Sequence, residues 1–328
     1  MRESGSSRQS VGVNWSSTQS INKEIVVKRS CLLILGFFHT MVFSQTESIE
    51  PSAPDEDQQT LVTERLVSDK AALVNPYAIT QHKPNFLLPV SYQKNPNQLG
   101  DDGFSQGNID HMEAKFQISV KMPVYRPDEQ QSLEGVYFGF TAKSHWQVYN
   151  SEISKPFRET NYQPEVFYNF DTDLKLLGYR FNLAQVGIEH QSNGQNQLRS
   201  RSWNRIYGSL LFSDEDSFYY LRAWYRIKED EKDDPLDPRG DDNPDITHFL
   251  GHMEVGYGTQ MGNFKLMTMI RNNLKTSDNK GSIELNLTYP LNNRYEVLLQ
   301  YFNGYGDSLI DYNRHQQRIS LGIQLAYF

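Results

Sequence analysis

The stretch Glu113–Met122, EAKFQISVKM, alternates between polar and apolar side chains at every position. In a β-strand, successive side chains point to opposite faces, so this stretch would place a polar row on one face of a sheet and an apolar row on the other. The same pattern recurs from residue 85 onward, clearest in the segments Tyr219–Ile227, Phe249–Tyr257, Ile283–Tyr289 and Ile319–Tyr327. The alternation predicts an all-β protein.

We predict about twelve strands, whose lengths match the ~9–11 residues that carry a tilted strand across a bilayer. They cover residues 85–93, 112–122, 134–149, 163–173, 180–192, 201–213, 217–228, 246–260, 262–273, 281–290, 294–304 and 316–328. Tight turns at Met261-Gly262 and Leu291-Asn292-Asn293 alternate with longer loops at 150–162, 193–200, 229–245 and 305–315. This organisation predicts a 12-stranded antiparallel transmembrane β-barrel with both termini in the periplasm.

The composition of the 328-residue chain fits a membrane barrel. No apolar run approaches the ~20 residues of a membrane-spanning helix, while the 19 Tyr and 18 Phe suit aromatic girdles at the membrane surfaces. A formal charge of -8 argues against a nucleic-acid partner, and the single Cys excludes a disulfide framework or a Cys-based zinc site. A soluble β-sandwich is the alternative fold, but the many charged side chains on the polar faces favour a polar lumen.

The N-terminal region predicts export. A basic pair, Lys28-Arg29, precedes a mostly apolar run, Cys31–Phe43, with a candidate cleavage site after Ser44. This order is typical of a secretory signal peptide. We therefore divide the chain into a signal peptide with an N-terminal extension (1–44), an acidic flexible linker and N-terminal arm (45–80), and a transmembrane barrel (81–328). Within the arm, residues 61–80 are expected to form a short helix or an extended segment.

A serine, a histidine and an asparagine are predicted to meet on the outer wall of the barrel. His190 and Ser192 share the strand parity of apolar residues that should face lipid, and Asn204 shares the corresponding parity in the next strand. An antiparallel hairpin would set His190 opposite Asn204, with Cβ atoms ~4.5–5.5 Å apart. Nucleophile, base and orienting group are what acyl transfer requires, and the N–H of Gly194 could approach an oxyanion. Since His and Ser at a barrel rim often have no catalytic role, the pattern alone leaves both interpretations open.

Five segments of the chain resemble the outer-membrane phospholipase A family. They are HQSNG (190–194), SRSWNR (200–205), PFRETNY (156–162), DDNPDIT (241–247) and GYGDSLIDYN (304–313), within a likeness that covers roughly residues 80–328. The resemblance implies a twelve-stranded barrel in the outer membrane of a Gram-negative bacterium. It also implies a calcium-dependent enzyme that hydrolyses acyl esters of phospholipids and is active as a homodimer.

The resemblance assigns roles to individual residues. Ser192 would be the nucleophile, His190 the general base and Asn204 the residue that orients His190, with the Gly194 N–H near the oxyanion. The calcium ligands would be the Ser200 hydroxyl, the Gln195 carbonyl and the carbonyl of Ser154 of the partner subunit. Hard oxygen ligands of this kind suit calcium.

Three positions depart from the family's pattern. The family usually has Arg at Gln195, but only the backbone carbonyl is required there, so this change is compatible with calcium binding. It often has Asp at Gln197, whose carboxylate would form a second calcium site with Asp242 in the monomer, so this chain lacks one ligand of that site. It has an interface Gln where this chain has Ala142, which removes a polar anchor from the dimer.

Two other functions remain open on the sequence alone. One is a passive porin or structural barrel that keeps the motifs without catalysis, and the other is a soluble secreted esterase. The acidic loop Glu229–Asp245 does not match the EF-hand pattern. We interpret most of it as a solvated extracellular loop, in which Asp242 is the one candidate ligand.

Overall fold

A computed structural model of the chain describes residues 61–75, 77–98, 109–127, 132–152, 157–234, 236–237 and 239–327. The expected signal peptide, the linker up to residue 60 and the terminal Phe328 lie outside these ranges. Helix α1 covers Leu61–Ala72, within the segment expected to form a short helix or arm, and helix α2 covers Ile246–Leu250. In the described part of the chain, no helix is long and apolar enough to cross a membrane.

All described strands join in one antiparallel sheet. Their bounds are β1 Thr80–Gln81, β2 Phe86–Gln93, β3 Met112–Tyr125, β4 Gly135–Trp146, β5 Phe157–Leu176, β6 Tyr179–Ser192, β7 Ser202–Ser213, β8 Ser217–Ile227, β9 Met253–Met261, β10 Phe264–Asn272, β11 Gly281–Pro290, β12 Tyr295–Gly304 and β13 Gln316–Leu325. From β2 to β13 each strand pairs with the next along the chain, and β13 pairs back with β2 through Ile319↔Tyr92. Strand β1 adds only a two-residue pairing to β3.

The expected twelve-stranded barrel is confirmed as β2 to β13, and the bounds of several strands differ from those expected, most of all in the two cases that follow. Residues 246–252 were expected to begin a strand, but they contain α2, and β9 begins only at Met253. Ile246 and Leu250 are buried and four residues apart, which places them on one face of a helix. Strand β5 begins at Phe157 rather than at residue 163, so the preceding loop is shorter than expected.

Polar side chains fill the lumen, and apolar side chains cover the outside. In β3, Glu113, Lys115 and Ser119 are at most 1% exposed, whereas Ile118 is 56% and Met122 43% exposed. This distribution is the reverse of that in a water-soluble sandwich, and it is stable only where hydrocarbon surrounds the sheet. The soluble sandwich, and the soluble esterase that would need a fold of that kind, therefore do not describe this chain.

The loop between β12 and β13, residues 305–315, folds into the lumen instead of extending outward. Its residues Asp307, Ser308, Leu309 and Asp311 are all at most 3% exposed. Lys115 Nζ lies 2.9 Å from Asp307 Oδ1, and Arg318 Nε lies 2.7 Å from Asp307 Oδ2. Burial alone would raise the pKa of the Asp307 carboxyl, but these two cations hold it well below its usual value.

A second set of ion pairs anchors the same loop to the barrel wall. Glu113 lies 3.1 Å from Arg158 Nε and 2.7 Å from Arg318 Nη1. Arg158 Nη1 in turn lies 2.7 Å from Asp311 Oδ2 in the loop. All of these side chains are about 1% exposed, so each charge depends on its partners rather than on water. The network holds the loop inside the lumen at the end of the barrel that carries the long loops.

Helix α1 lies at the opposite end, where the short turns are. Arg65 donates from Nη2 to the Gln81 carbonyl at 2.7 Å and from Nη1 to the Tyr327 carbonyl at 3.2 Å. Asp69 pairs with Lys121 at 2.8 Å. Between α1 and the buried loop remains a cavity of about 350 Å³ lined largely by lumen side chains.

Candidate active site

The hairpin of β6 and β7 carries the predicted site, and its side chains alternate between the two faces of the wall. Val186 is 53%, Ile188 55% and Ile206 48% exposed, so this parity faces outward. Glu189 and Trp203, of the opposite parity, are buried in the lumen at 3% and 0%. His190, Ser192 and Asn204 have the outward parity and are half-buried at the end of the hairpin. The structure thus places all three residues on the outer wall.

His190 and Asn204 are directly opposite each other and are joined by a hydrogen bond. The register pairs the two residues, and His190 Nδ1 lies 2.8 Å from Asn204 Oδ1. Because the amide oxygen only accepts, His190 Nδ1 must carry the proton, which leaves Nε2 with a free lone pair. This tautomer is the one in which a histidine can accept a proton from a nucleophile.

Ser192 lies two residues beyond His190 on the same face. Its register partners are Ser202 on β7 and Tyr162 on β5. Among the described residues, no hydrogen bond joins the Ser192 hydroxyl to His190. The backbone places the two side chains at adjacent outward positions of β6.

The turn after Ser192 is held in a fixed shape by Asn193. Its side chain donates to the Arg199 carbonyl at 2.9 Å and accepts from Arg201 N at 3.0 Å. Gly194 follows with φ 62°, a left-handed conformation that glycine adopts without steric cost. A Cβ at this position would lie 3.3 Å from the Tyr162 ring, so the turn is also tightly packed.

The candidate metal ligands lie on the same turn and on the acidic loop that folds over it. Ser200 Oγ donates to Asp242 Oδ2 at 2.5 Å, and Lys232 forms an ion pair with the other carboxylate oxygen of Asp242. Gln195 lies five residues before Ser200 in the same turn. Ser154 lies outside the described residues. Within the described ranges, no group of three or more His, Cys, Asp or Glu side chains could hold a metal ion.

The structure adds residues of the acidic loop that the sequence analysis did not select. Asn204 Nδ2 donates to Glu229 Oε1 at 2.8 Å, and Ser202 N donates to Asn243 Oδ1 at 3.0 Å. Most of the described residues of this loop are exposed, as expected, but Glu229 and Asn243 contact the site hairpin. No usable signal for Glu229 was present in the sequence, because its contact depends on the register that pairs Asn204 with Ile227 and on the fold of the loop after β8.

Comparisons with known proteins agree with this geometry. The family model for phospholipase A1 matches residues 62–325. The phospholipase A1 of Escherichia coli strain K12 is 34% identical over 253 residues, which cover 76% of this chain and 82% of that protein. The phospholipase A1 of Proteus vulgaris is 33% identical over the same length and the same shares.

Two solved structures share the architecture. The outer membrane phospholipase A of Escherichia coli superposes with a TM-score of 0.69 at 32% identity, covering 76% of this chain and 99% of the other. The calcium-bound dimer of the Salmonella typhi outer membrane phospholipase (OMPLA) gives a TM-score of 0.70 at 32% identity, covering 78% and 96%.

Barrel and comparisons together define an integral outer-membrane enzyme of Gram-negative bacteria. Its polar, hydrogen-bonded residues at the end of the β6–β7 hairpin face lipid rather than the lumen. The chain belongs to the phospholipase A1 family.

Proposed function

We propose that this protein hydrolyses the acyl esters of glycerophospholipids, and of lysophospholipids, at the outer surface of the barrel wall. Ser192 is the nucleophile, His190 the general base and Asn204 the residue that orients His190. The observation that carries the proposal is the 2.8 Å contact between His190 Nδ1 and Asn204 Oδ1 on the outward face, next to Ser192. In addition, another solved form of the Escherichia coli enzyme is an active-site variant in which an asparagine is replaced by alanine.

The reaction follows from the tautomer of His190. Nε2 takes the proton of the Ser192 hydroxyl while Oγ attacks the ester carbonyl, and the Gly194 N–H donates to the oxyanion. The protonated imidazole then gives its proton to the departing lysophospholipid oxygen, which leaves an acyl group on Ser192. Water, deprotonated by Nε2, attacks the acyl carbonyl, and the fatty acid leaves as Ser192 regains its proton.

The lipid-facing position of the site explains how the substrate arrives. The exposed Val186, Ile188 and Ile206 lie along the same outward rows as the proposed catalytic residues. An acyl chain can lie against these side chains while the ester stands at the level of His190, near the headgroups. Such a site needs no passage through the lumen, because its substrate is already part of the surrounding membrane.

The oxygen donors around Ser200 fit one calcium ion. A hydroxyl and a backbone carbonyl are ligands that calcium prefers, and the residues of this subunit that would hold it are Ser200 and Gln195. When bound, calcium would supply positive charge that stabilises the oxyanion. A second ion on Asp242 does not fit as well, because the Lys232 ammonium already neutralises that carboxylate.

Removal of calcium is expected to reduce hydrolysis strongly. With EDTA, the rate on a long-chain phosphatidylcholine in detergent should fall about 100-fold, the effect typical of losing one oxyanion-stabilising group. Excess Ca²⁺ should restore the rate, while heat-modifiable migration in gels shows that the barrel stays folded throughout. A chelated enzyme that keeps its full rate would contradict calcium dependence and leave the rest of the mechanism intact.

We further propose that the active form is a homodimer, in which the carbonyl of Ser154 of the partner subunit completes the calcium site. The calcium-bound dimer of the Salmonella typhi protein supports this proposal. Chemical cross-linking in detergent should then give a dimer that increases with Ca²⁺ and decreases with EDTA.

Replacing Ala142, half-buried on β4, by Gln should strengthen the dimer, because a buried amide pair would be added at the interface. A monomer at saturating activity would contradict the proposal.

A passive pore is disfavoured by the loop of residues 305–315. Its buried Asp307 and Leu309 occupy the lumen, and the ion pairs of Arg158 and Arg318 hold it there. A diffusion channel needs an open aqueous path through the barrel. No observation on this chain favours that function over hydrolysis.

A further inference from the structure

The Asn204 amide has two polar partners, one on each side. Oδ1 lies 2.8 Å from His190 Nδ1, and Nδ2 donates to Glu229 Oε1 at 2.8 Å. Both the oxygen and the NH₂ group of the amide are therefore held by a hydrogen bond, which fixes the orientation of the side chain. The contacts form a continuous line from the imidazole, through the amide, to a carboxylate.

The strand register explains why Glu229 reaches Asn204. Asn204 pairs with Ile227, the last residue of β8, and Glu229 follows two positions later. Glu229 lies just beyond the end of β8, and its carboxylate reaches the Asn204 amide across the β7–β8 pair. The Glu229 carboxylate therefore lies beside Asn204, the hydrogen-bond partner of the proposed catalytic histidine.

The loop that carries Glu229 is fastened at several points. Arg226 donates from Nη2 to both oxygens of Asp241, at 2.6 and 2.7 Å, and from Nη1 to the Pro244 carbonyl at 2.8 Å. Asp241 N donates to the Asp230 carbonyl at 2.8 Å, directly beside Glu229. These bonds restrict the positions that Glu229 can adopt, so its contact with Asn204 belongs to a structured loop.

We propose that Glu229 is a positioning residue for the catalytic histidine, acting through Asn204. This inference rests on the proposed function and extends it to a fourth residue. An ionised carboxylate can only accept hydrogen bonds, so the NH₂ group of Asn204 must face Glu229. Its oxygen must then face His190, and Nδ1 of the imidazole must carry the proton. Glu229 thus selects the tautomer that leaves Nε2 free to act as a base.

The same geometry explains why this chain has an amide at position 204. An Asp side chain could accept from His190, but its second oxygen would meet the Glu229 carboxylate at hydrogen-bonding distance. Two carboxylates so close repel each other unless one binds a proton. Only an amide can accept on one side and donate on the other, so Asn204 and Glu229 form a matched pair.

The inference predicts a distinctive pattern in kcat. Glu229→Ala should lower kcat about tenfold with little change in KM, the factor expected from losing one orienting hydrogen bond. Glu229→Gln should stay within about threefold of wild type, because the Gln oxygen can still accept from Asn204. The exposed Glu231, two residues along the same loop, provides the matched control, and Glu231→Ala should leave kcat unchanged.

A charge-swap experiment separates positioning from a general effect on structure. Asn204→Asp should lower kcat by about 100-fold or more, because its carboxylate faces that of Glu229. Adding Glu229→Gln should raise kcat at least about tenfold above Asn204→Asp alone, because the Gln amide can donate to the new carboxylate. A variant that loses structure could not be rescued in this way. All variants are compared as full-length folded barrels, checked by heat-modifiable migration.

Two results would overturn the inference. One is a Glu229→Ala enzyme with the kcat of the Glu231→Ala control, and the other is a double variant no more active than Asn204→Asp. Failure of the proposed function looks different, because the wild-type protein would then hydrolyse no phospholipid at all, or a Ser192→Ala variant would keep its activity.

Discussion

Replacing Ser192 by Ala should abolish phospholipid hydrolysis, with a loss of about 10⁴-fold or more in kcat. Without the Oγ atom no acyl-enzyme can form, and the His190–Asn204 pair has no proton to take. The remaining rate would come only from oxyanion stabilisation and substrate binding. The measurement is release of fatty acid from a long-chain phospholipid in detergent with Ca²⁺.

The cross-strand neighbour of Ser192 provides a close control. Ser202 is the register partner of Ser192 on β7, and it is also half-buried with the outward parity. Ser202→Ala removes a hydroxyl from nearly the same place, and its kcat should stay within about threefold of wild type, as for a group outside the reaction. If Ser202→Ala lost activity while Ser192→Ala kept it, the nucleophile would be Ser202 and the proposal for Ser192 would be wrong.

Replacing Arg318 by Ala should destabilise the barrel more than any surface change. The guanidinium lies 2.7 Å from both Glu113 and Asp307 and donates to Ser91 Oγ at 3.0 Å. Its removal leaves two buried carboxylates short of a counter-charge, a change that typically costs about 3–5 kcal/mol. Urea unfolding of the protein in lipid vesicles should show this decrease in the free energy of unfolding.

A nearby arginine separates the effect of the ion pairs from the loss of an arginine as such. Arg314 is exposed in the loop of residues 305–315, four residues before Arg318 on β13. Arg314→Ala should change the free energy of unfolding by no more than about 0.5 kcal/mol, as for most surface substitutions. Equal stabilities for the two variants would contradict the idea that Glu113 and Asp307 depend on Arg318 as their buried counter-charge.

The sequence alone was sufficient to predict the barrel and the face of its wall on which the candidate site lies. Strand parity has a period of two residues, so a run such as Glu113–Met122 fixes which side chains point inward. The same rule put His190 and Asn204 on the outward face, and pairing the two consecutive strands as an antiparallel hairpin set them opposite each other. These features are local or nearly local, which is why a single sequence reveals them.

Features that depend on long-range packing could not be read in this way. Helix α2 covers only Ile246–Leu250, and its formation depends on the burial of two residues by parts of the chain distant in sequence. Burial of Asp307 depends on Lys115, which is 192 residues away in the chain. The contact of Glu229 with Asn204 requires the register of β8 and the fold of its loop together. Composition correctly indicated a mostly exposed loop, but it carries no information on the individual contact of Glu229.

The inward-folded segment of residues 305–315 also bears on how much solute can leak through the barrel. A wide unfilled barrel in the envelope would allow nutrients, ions and toxic compounds to leak along their gradients. Here residues Asp307 to Asp311 occupy part of the interior, and the proposed catalytic residues lie on the exterior wall. A barrel with a filled interior is therefore expected to add little leakage to the membrane that carries it.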